Sequence, residues 1–175
     1  MAGRKIPKKL NATELWDYAL RVLARRAHSS GELSKKLAFR AEAPADVGTT
    51  MDKLREYGFA DDTKFSEAFA GSRLQNQGFG RLRVLHELRS KRVSPAIAAK
   101  AVEKAFDGTD EPQLIQNFLD RKYRGKNLKQ FLQEEKNLAS AYRRLRNAGF
   151  SSNGSFTVLK RYSRATDEWD ISGED

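Results

Sequence analysis

The sequence predicts an all-α protein built as three tandem three-helix repeats in an elongated, curved array. Three observations predict it. Apolar residues recur three and four apart along most of the 175 residues, while strand-like alternation is nearly absent. The four prolines and twelve glycines fall between these periodic segments, as they do in helical bundles. A Leu-Arg-x-x-Gly-Phe pattern spans Leu54 to Phe59 and again Leu145 to Phe150, with a looser relative from Leu88 to Val93 that has Arg92 at the glycine position. Unequal spacing marks a degenerate repeat, and stacked units bury faces that none can bury alone.

The elements follow in order. A first helix is expected from about Ala12 to Ala27, with Trp16, Leu20, Leu23 and Ala27 on one face and a capping box from Asn11 and Glu14. A second begins at Ser29 or Ser30; Ser29 and Glu32 have capping-box spacing, and Leu33 and Leu37 follow. A third starts near Pro44, carries Val47, Met51 and Leu54, and ends at a left-handed Gly58 with Phe59 as its apolar follower. Asp61 or Asp62 caps a helix carrying Phe65 and Phe69, which Gly78 and Gly80 break. The next has Leu82, Leu85 and Leu88. Ser94-Pro95 starts another, with Ile97, Ala101 and Ala105, closed by Asp107-Gly108.

The last round opens at Asp110 and Pro112 with Ile115, Phe118 and Leu119. A short helix with Leu128, Phe131 and Leu132 follows, then one with Leu138, Tyr142 and Leu145 ending at Gly149-Phe150. A final helix carries Phe156, Leu159 and Tyr162; its stretch from Ser155 to Leu159 is also the best strand candidate. The expected boundaries are a basic segment over 1–10, repeats over 11–59, 60–108 and 109–166, and an acidic, aperiodic tail over 167–175 read as disordered.

Composition narrows the function. Cysteine is absent, so disulfides, thiolate catalysis and zinc–thiolate sites are excluded. No run approaches the roughly 18 apolar residues of a membrane helix. The basic Met1 to Lys9 segment is not followed by the apolar run of a signal peptide, so a cytoplasmic location is expected. The two histidines show no nucleophile or metal-ligand spacing: His28 sits at a helix end, where a positive imidazole suits the dipole, and His86 neighbours Glu87 in a basic helix. Gly78-Phe79-Gly80 lacks the pattern of a nucleotide-binding loop. A protein with no catalytic residues, cofactor or metal is expected.

Charge is the informative signal. The net is +10, and it is blocked: ten bases against three acids over 1–40, three against seven over 41–70, then eight against two over 71–104. Such faces attract phosphates through Coulomb attraction and counterion release. Arg25, Arg26, Lys35 and Lys36, with Arg40, bracket the turn at His28-Ser29-Ser30. Arg81, Arg83, Arg89, Lys91 and Arg92 cluster beside an apolar stripe, and Arg81 stands at a helix start whose free amides would also favour anions. Phe65, Phe69, Phe118 and Phe131 fit apolar stripes and are read as core.

These residues carry a resemblance. The stretch from Ala19 to Leu37, including Arg25-Arg26-Ala27-His28-Ser29-Ser30-Gly31-Glu32-Leu33, resembles the opening repeat of the RecX family. Tyr57-Gly58-Phe59-Ala60-Asp61-Asp62, followed by Ser72-Arg73, is similar too, as is Gly80-Arg81-Leu82-Arg83 leading into Glu87 to Ser94. The resemblance covers about Ala19 to Phe106. It implies binding along the groove of a RecA–DNA filament, lowering strand exchange, RecA's ATP hydrolysis and cleavage of the SOS repressor. The basic faces of the first and second repeats are expected to make the main contacts, through Arg25, Arg26, Lys35, Lys36, Arg73, Arg81, Arg83, Arg89, Lys91 and Arg92. The implied partners are the RecA filament and single- and double-stranded DNA, met by a monomer. The family's Lys-Gly-Ile reads Lys91-Arg92-Val93 here, so a differently built turn is expected. The competing reading is a helical DNA-binding protein, transcriptional or architectural, acting without RecA. A third is a scaffold without nucleic-acid contact.

Overall fold

The computed structural model describes residues 7–163; the tail over 167–175 and most of the basic segment over 1–10 lie outside the described residues. Among the described residues the chain forms ten α-helices: α1 Ala12–Arg25, α2 Ser30–Arg40, α3 Pro44–Glu56, α4 Asp62–Ser72, α5 Arg81–Ser90, α6 Pro95–Ala105, α7 Glu111–Lys122, α8 Leu128–Phe131, α9 Glu135–Asn147 and α10 Ser152–Lys160. A π-helical turn, Arg73–Gln77, continues α4. The one β-type pairing among these residues is an isolated parallel bridge between Leu10 and Ala41. The all-helical fold class read from the sequence stands.

Local chemistry sets the boundaries. Asn11 accepts the Glu14 amide at 3.0 Å and Glu14 accepts the Asn11 amide at 3.2 Å, the full capping box expected for α1. That helix stops at Arg25, because Arg26 is already extended at φ −163°. Ser29 caps α2 by accepting the Glu32 amide at 3.1 Å. Its expected partner arm is not made, since the Glu32 carboxylate turns to Lys91 at 3.2 Å and Arg26 at 3.5 Å. Asp61 caps α4 by accepting the amides of Thr63 and Lys64, which leaves Asp62 for another task. Ser151 caps α10 through the Gly154 amide at 2.9 Å, so the Ser155–Leu159 stretch is helical and the strand alternative falls.

The chain divides into two compact units. Unit 1 takes the residues up to Ala70 together with Glu87–Lys104; unit 2 takes Gly71–His86 with the residues from Ala105 onward. In unit 1, α1, α2 and α3 pack on one another around Leu15, Leu33, Leu37, Met51 and Leu54. In unit 2, α10 packs on α7 and α9 around Ile115, Leu119, Leu138, Leu145 and Phe150. Each such side chain, fully buried, contributes about 1.5–3 kcal/mol.

The degenerate repeat has a physical meaning. After α3, α5 and α9 the chain makes the same reversal. The amide five residues past a buried leucine returns to that leucine's carbonyl: Phe59 to Leu54 at 2.8 Å, Val93 to Leu88 at 3.2 Å, Phe150 to Leu145 at 3.2 Å. The residue before it is left-handed each time, with φ +72° at Gly58, +63° at Arg92 and +87° at Gly149. The turn at Lys91-Arg92-Val93, expected to be built differently, is therefore built alike. Arginine holds a conformation that costs a side-chain-bearing residue about 1–2 kcal/mol.

Two of these turns dock on the start of a helix in their own unit. In unit 1, Arg92 lies so close to Gly31 that a side chain at Gly31 would collide with the Arg92 Cβ and carbonyl. The Ser29 hydroxyl donates to the Lys91 carbonyl, and Asp62 accepts the Ser30 amide at 2.7 Å. In unit 2, the Gly80 and Leu82 amides donate to the carbonyls of Ala148 at 2.8 Å and Gly149 at 3.1 Å. A side chain at Gly149 would strike the Arg83 backbone.

Candidate nucleic-acid interface

Both docked turns change how the helix starts can be used. The α5 amides of Gly80 and Leu82 are taken by backbone carbonyls, so the start of α5 beside Arg81 is not the open anion site read from the sequence. At the start of α2, the Asp62 carboxylate already fills that role. Anion binding therefore falls to side chains, and these differ in how far they are committed.

In unit 1, Arg25, Lys35, Lys36, Arg89 and Arg92 are exposed, and none of them pairs with a carboxylate among the described residues. Arg26 is exposed but divided between the Ala27 carbonyl at 3.0 Å and Glu32. Lys91 is half-buried. It bonds Glu32, and its ammonium lies 5.3 Å from the centre of the Phe69 ring. Beneath them His28 is only 6% exposed, its Nδ1 3.6 Å from Glu32 without a hydrogen bond. Burial, reinforced by Arg26, holds the imidazole below its ordinary pKa although Glu32 opposes this. Burial thus disfavours the positive imidazole expected at this helix end. For Glu32, burial pushes the pKa up, but Lys91 and Arg26 outweigh it and the carboxyl sits below its usual range.

In unit 2, Arg81 is exposed and lies over the Phe106 ring at 5.6 Å. Arg73 is half-buried and donates to Gln77 Oε1 at 2.9 Å. Arg83 donates to the Asn147 carbonyl at 3.3 Å and lies 3.9 Å from the centre of the Phe79 ring. It lines a cleft of about 650 Å³ that also takes in Arg121, Lys122 and Arg144. No acidic residue lines this cleft. Of the ten residues singled out from the sequence, the cleft contains only Arg83.

Arg121, Lys122 and Arg144 were missed for an identifiable reason. They sit on α7 and α9, where the resemblance had faded, and the two helices lie far apart in sequence. Their juxtaposition is a product of packing. The bases of α9 carry a weak signal in the run Arg143-Arg144-Leu145-Arg146.

Residues 61–102 match the family model for RecX, second three-helix domain. The regulatory protein RecX of Chromohalobacter salexigens is 39% identical over 87 residues, 50% of this chain and 57% of that protein. That of Halorhodospira halophila is 39% identical over 89 residues and 55% of its length, so the chain spans little more than half of these two relatives. That of Vibrio vulnificus is 32% identical over 139 residues, 77% of this chain and 84% of that protein. A crystal structure of regulatory protein RecX has the same fold, with a TM-score of 0.68 at 18% identity over 86% of this chain and 73% of the other. RecX from Lactobacillus salivarius gives 0.63 at 15% identity, over 86% and 96% of the two chains. Helical repeats, sequence identity across most of a relative's length and a shared fold converge: this chain belongs to the RecX family of regulatory proteins.

Proposed function

We propose that this protein binds the RecA–DNA filament and restrains it, lowering strand exchange, RecA's ATP hydrolysis and its co-protease activity toward the SOS repressor. It does so as a monomeric binder in the cytoplasm, with hydrolysis belonging to RecA. The helices group into repeats over 11–59, 60–108 and 109–166.

The observation that carries the reading, beside family membership, is the set of bases left without a carboxylate. Arg25, Lys35, Lys36, Arg89 and Arg92 in unit 1, and Arg81, Lys122 and Arg144 in unit 2, are the groups available to phosphates. Tyr57 and Phe59, 60% and 50% exposed with their rings 6.2 Å apart, supply an apolar surface suited to protein rather than phosphate. A nucleoprotein filament offers both chemistries.

Binding tests this directly. The protein is expected to sediment with RecA assembled on single-stranded DNA at salt concentrations where it releases bare duplex. Equal or tighter binding to duplex alone would favour the second reading, a DNA-binding protein acting without RecA. The Arg81→Glu/Arg83→Glu variant is expected to weaken filament binding at least tenfold; unchanged binding would remove those residues from the interface.

A further inference from the structure

We propose that the unit 2 cleft is a binding site for single-stranded DNA, holding an unpaired base against the Arg83–Phe79 and Phe118 faces and its flanking phosphates on Lys122 and Arg144. This goes beyond the filament reading, and RecA is absent from its test, so the two can fail separately.

The cleft has the parts such a ligand requires. Its volume, about 650 Å³, is that of a small-molecule pocket, typically about 300–1,000 Å³. Two rings are held in place from behind, since Phe79 and Phe118 both pack on the unit 2 core and Phe118 meets Phe150 edge-on at 5.5 Å. Phe118, read from the sequence as core, is therefore both core and cleft wall. The Arg83 guanidinium lies over Phe79, and a stacked guanidinium is itself a plane on which a base can lie.

The charges are arranged for phosphate. Arg121 is fixed by donating to the carbonyls of Asn76 at 3.4 Å and of Gln77, which ties it to the π-helical turn. Glycine suits the end of that turn: Gly78 has φ +58°, and a Cβ there would come within 3.2 Å of the Arg121 guanidinium. Arg121 thus adds fixed positive charge and forms no ion pair among the described residues. Lys122 and Arg144 are exposed at the rim and have no ion-pair partner among the described residues. Asn147 also lines the cleft, and its exposed amide is of a kind that can donate and accept along a base edge.

Other polyanions fit less well. A duplex keeps its bases stacked and would use the rim cations while leaving the aromatic planes idle. An acidic peptide would satisfy the cations but has no planar group for the stacked guanidinium. Aromatic planes interleaved with cations are the pattern of single-strand binding.

The test uses the whole chain without RecA. Fluorescence anisotropy compares a labelled twelve-residue oligothymidylate, an abasic deoxyribose-phosphate strand of the same length and a twelve-base-pair duplex. Oligothymidylate is expected to bind more tightly than the abasic strand by between about fivefold and a hundredfold, the scale of one stacked base. Phe118→Leu, which keeps apolar bulk, is expected to erase that preference; Lys122→Ala/Arg144→Ala is expected to weaken both strands alike. Should Phe118→Leu misfold, 5-iodouracil in the oligonucleotide gives an independent reading through photocrosslinks expected at Phe79 or Phe118. Equal binding of the abasic strand, tighter binding of duplex, displacement by polyglutamate at matched charge, or crosslinks confined to unit 1 would each overturn the proposal.

Discussion

The docked turn of unit 1 and that of unit 2 share one backbone design and differ in what surrounds it. Around Arg92 and Gly31 the bases are partly neutralised: Glu32 takes Lys91 and Arg26, and Asp62 fills the start of α2. Around the unit 2 cleft, Lys122 and Arg144 are exposed and form no ion pair among the described residues. The difference teaches that positive charge in a sequence is not positive charge available to a ligand. In unit 1 part of it is consumed in holding the turn to the helix. In unit 2 the turn is held by backbone hydrogen bonds, with Arg83 and Arg146 donating to the carbonyls of Asn147 and Phe150, and Lys122 and Arg144 remain for other work.

The comparison can be broken most severely at Gly149. Gly149→Ala combines a left-handed backbone with a collision against Arg83, and should destabilise the protein by roughly 2–5 kcal/mol in urea denaturation. Gly31→Ala meets the Arg92 backbone but suffers no dihedral penalty, so a loss of about 1–3 kcal/mol is expected. If Gly31→Ala proved neutral, the close approach of the Arg92 turn would be wrong. Asp62→Ala removes the acceptor from a part-buried amide and should cost about 1–2 kcal/mol. Arg92→Gly tests the sign: relief of the left-handed arginine, less the greater chain entropy of glycine, should stabilise by about 0.5–1 kcal/mol.

The smallest effect separates the two regions by pH. The folded protein holds His28 below its ordinary pKa, so its contribution is complete above the unfolded imidazole value, near pH ~6.5, and is lost as pH falls through that range. Glu32, also lowered, loses its contribution only at more acid pH. Thermal melts from pH 7.5 to 5.5 should therefore show a decline that is shallower in His28→Gln. An unchanged slope would mean His28 is not held neutral.

Much of this fold was legible because it rests on local signals. Asn11 and Glu14, Ser94-Pro95, and the glycines at 58 and 149 act through neighbours a few residues away, and the helices begin and end close to where those signals stand. What was not legible is what long-range packing decides. Glu32 has capping-box spacing but is drawn off by Lys91, 59 residues away. His28 reads as a helix-end cation until its burial is seen. The ten basic candidates were chosen by local density, which cannot tell Lys91, held in an ion pair, from Lys35, left exposed. Arg144 enters the cleft only because α7 and α9 both pack on α10 in the folded unit.

The central claim, that a RecX-family fold with uncommitted bases restrains RecA, is tested most directly by the single-strand-DNA-dependent ATPase of the cognate RecA, with this protein titrated in well below one molecule per RecA. Inhibition at such ratios, relieved by added salt, is the result the account predicts. An unchanged ATPase at stoichiometric ratios, together with tight binding to bare duplex, would contradict it.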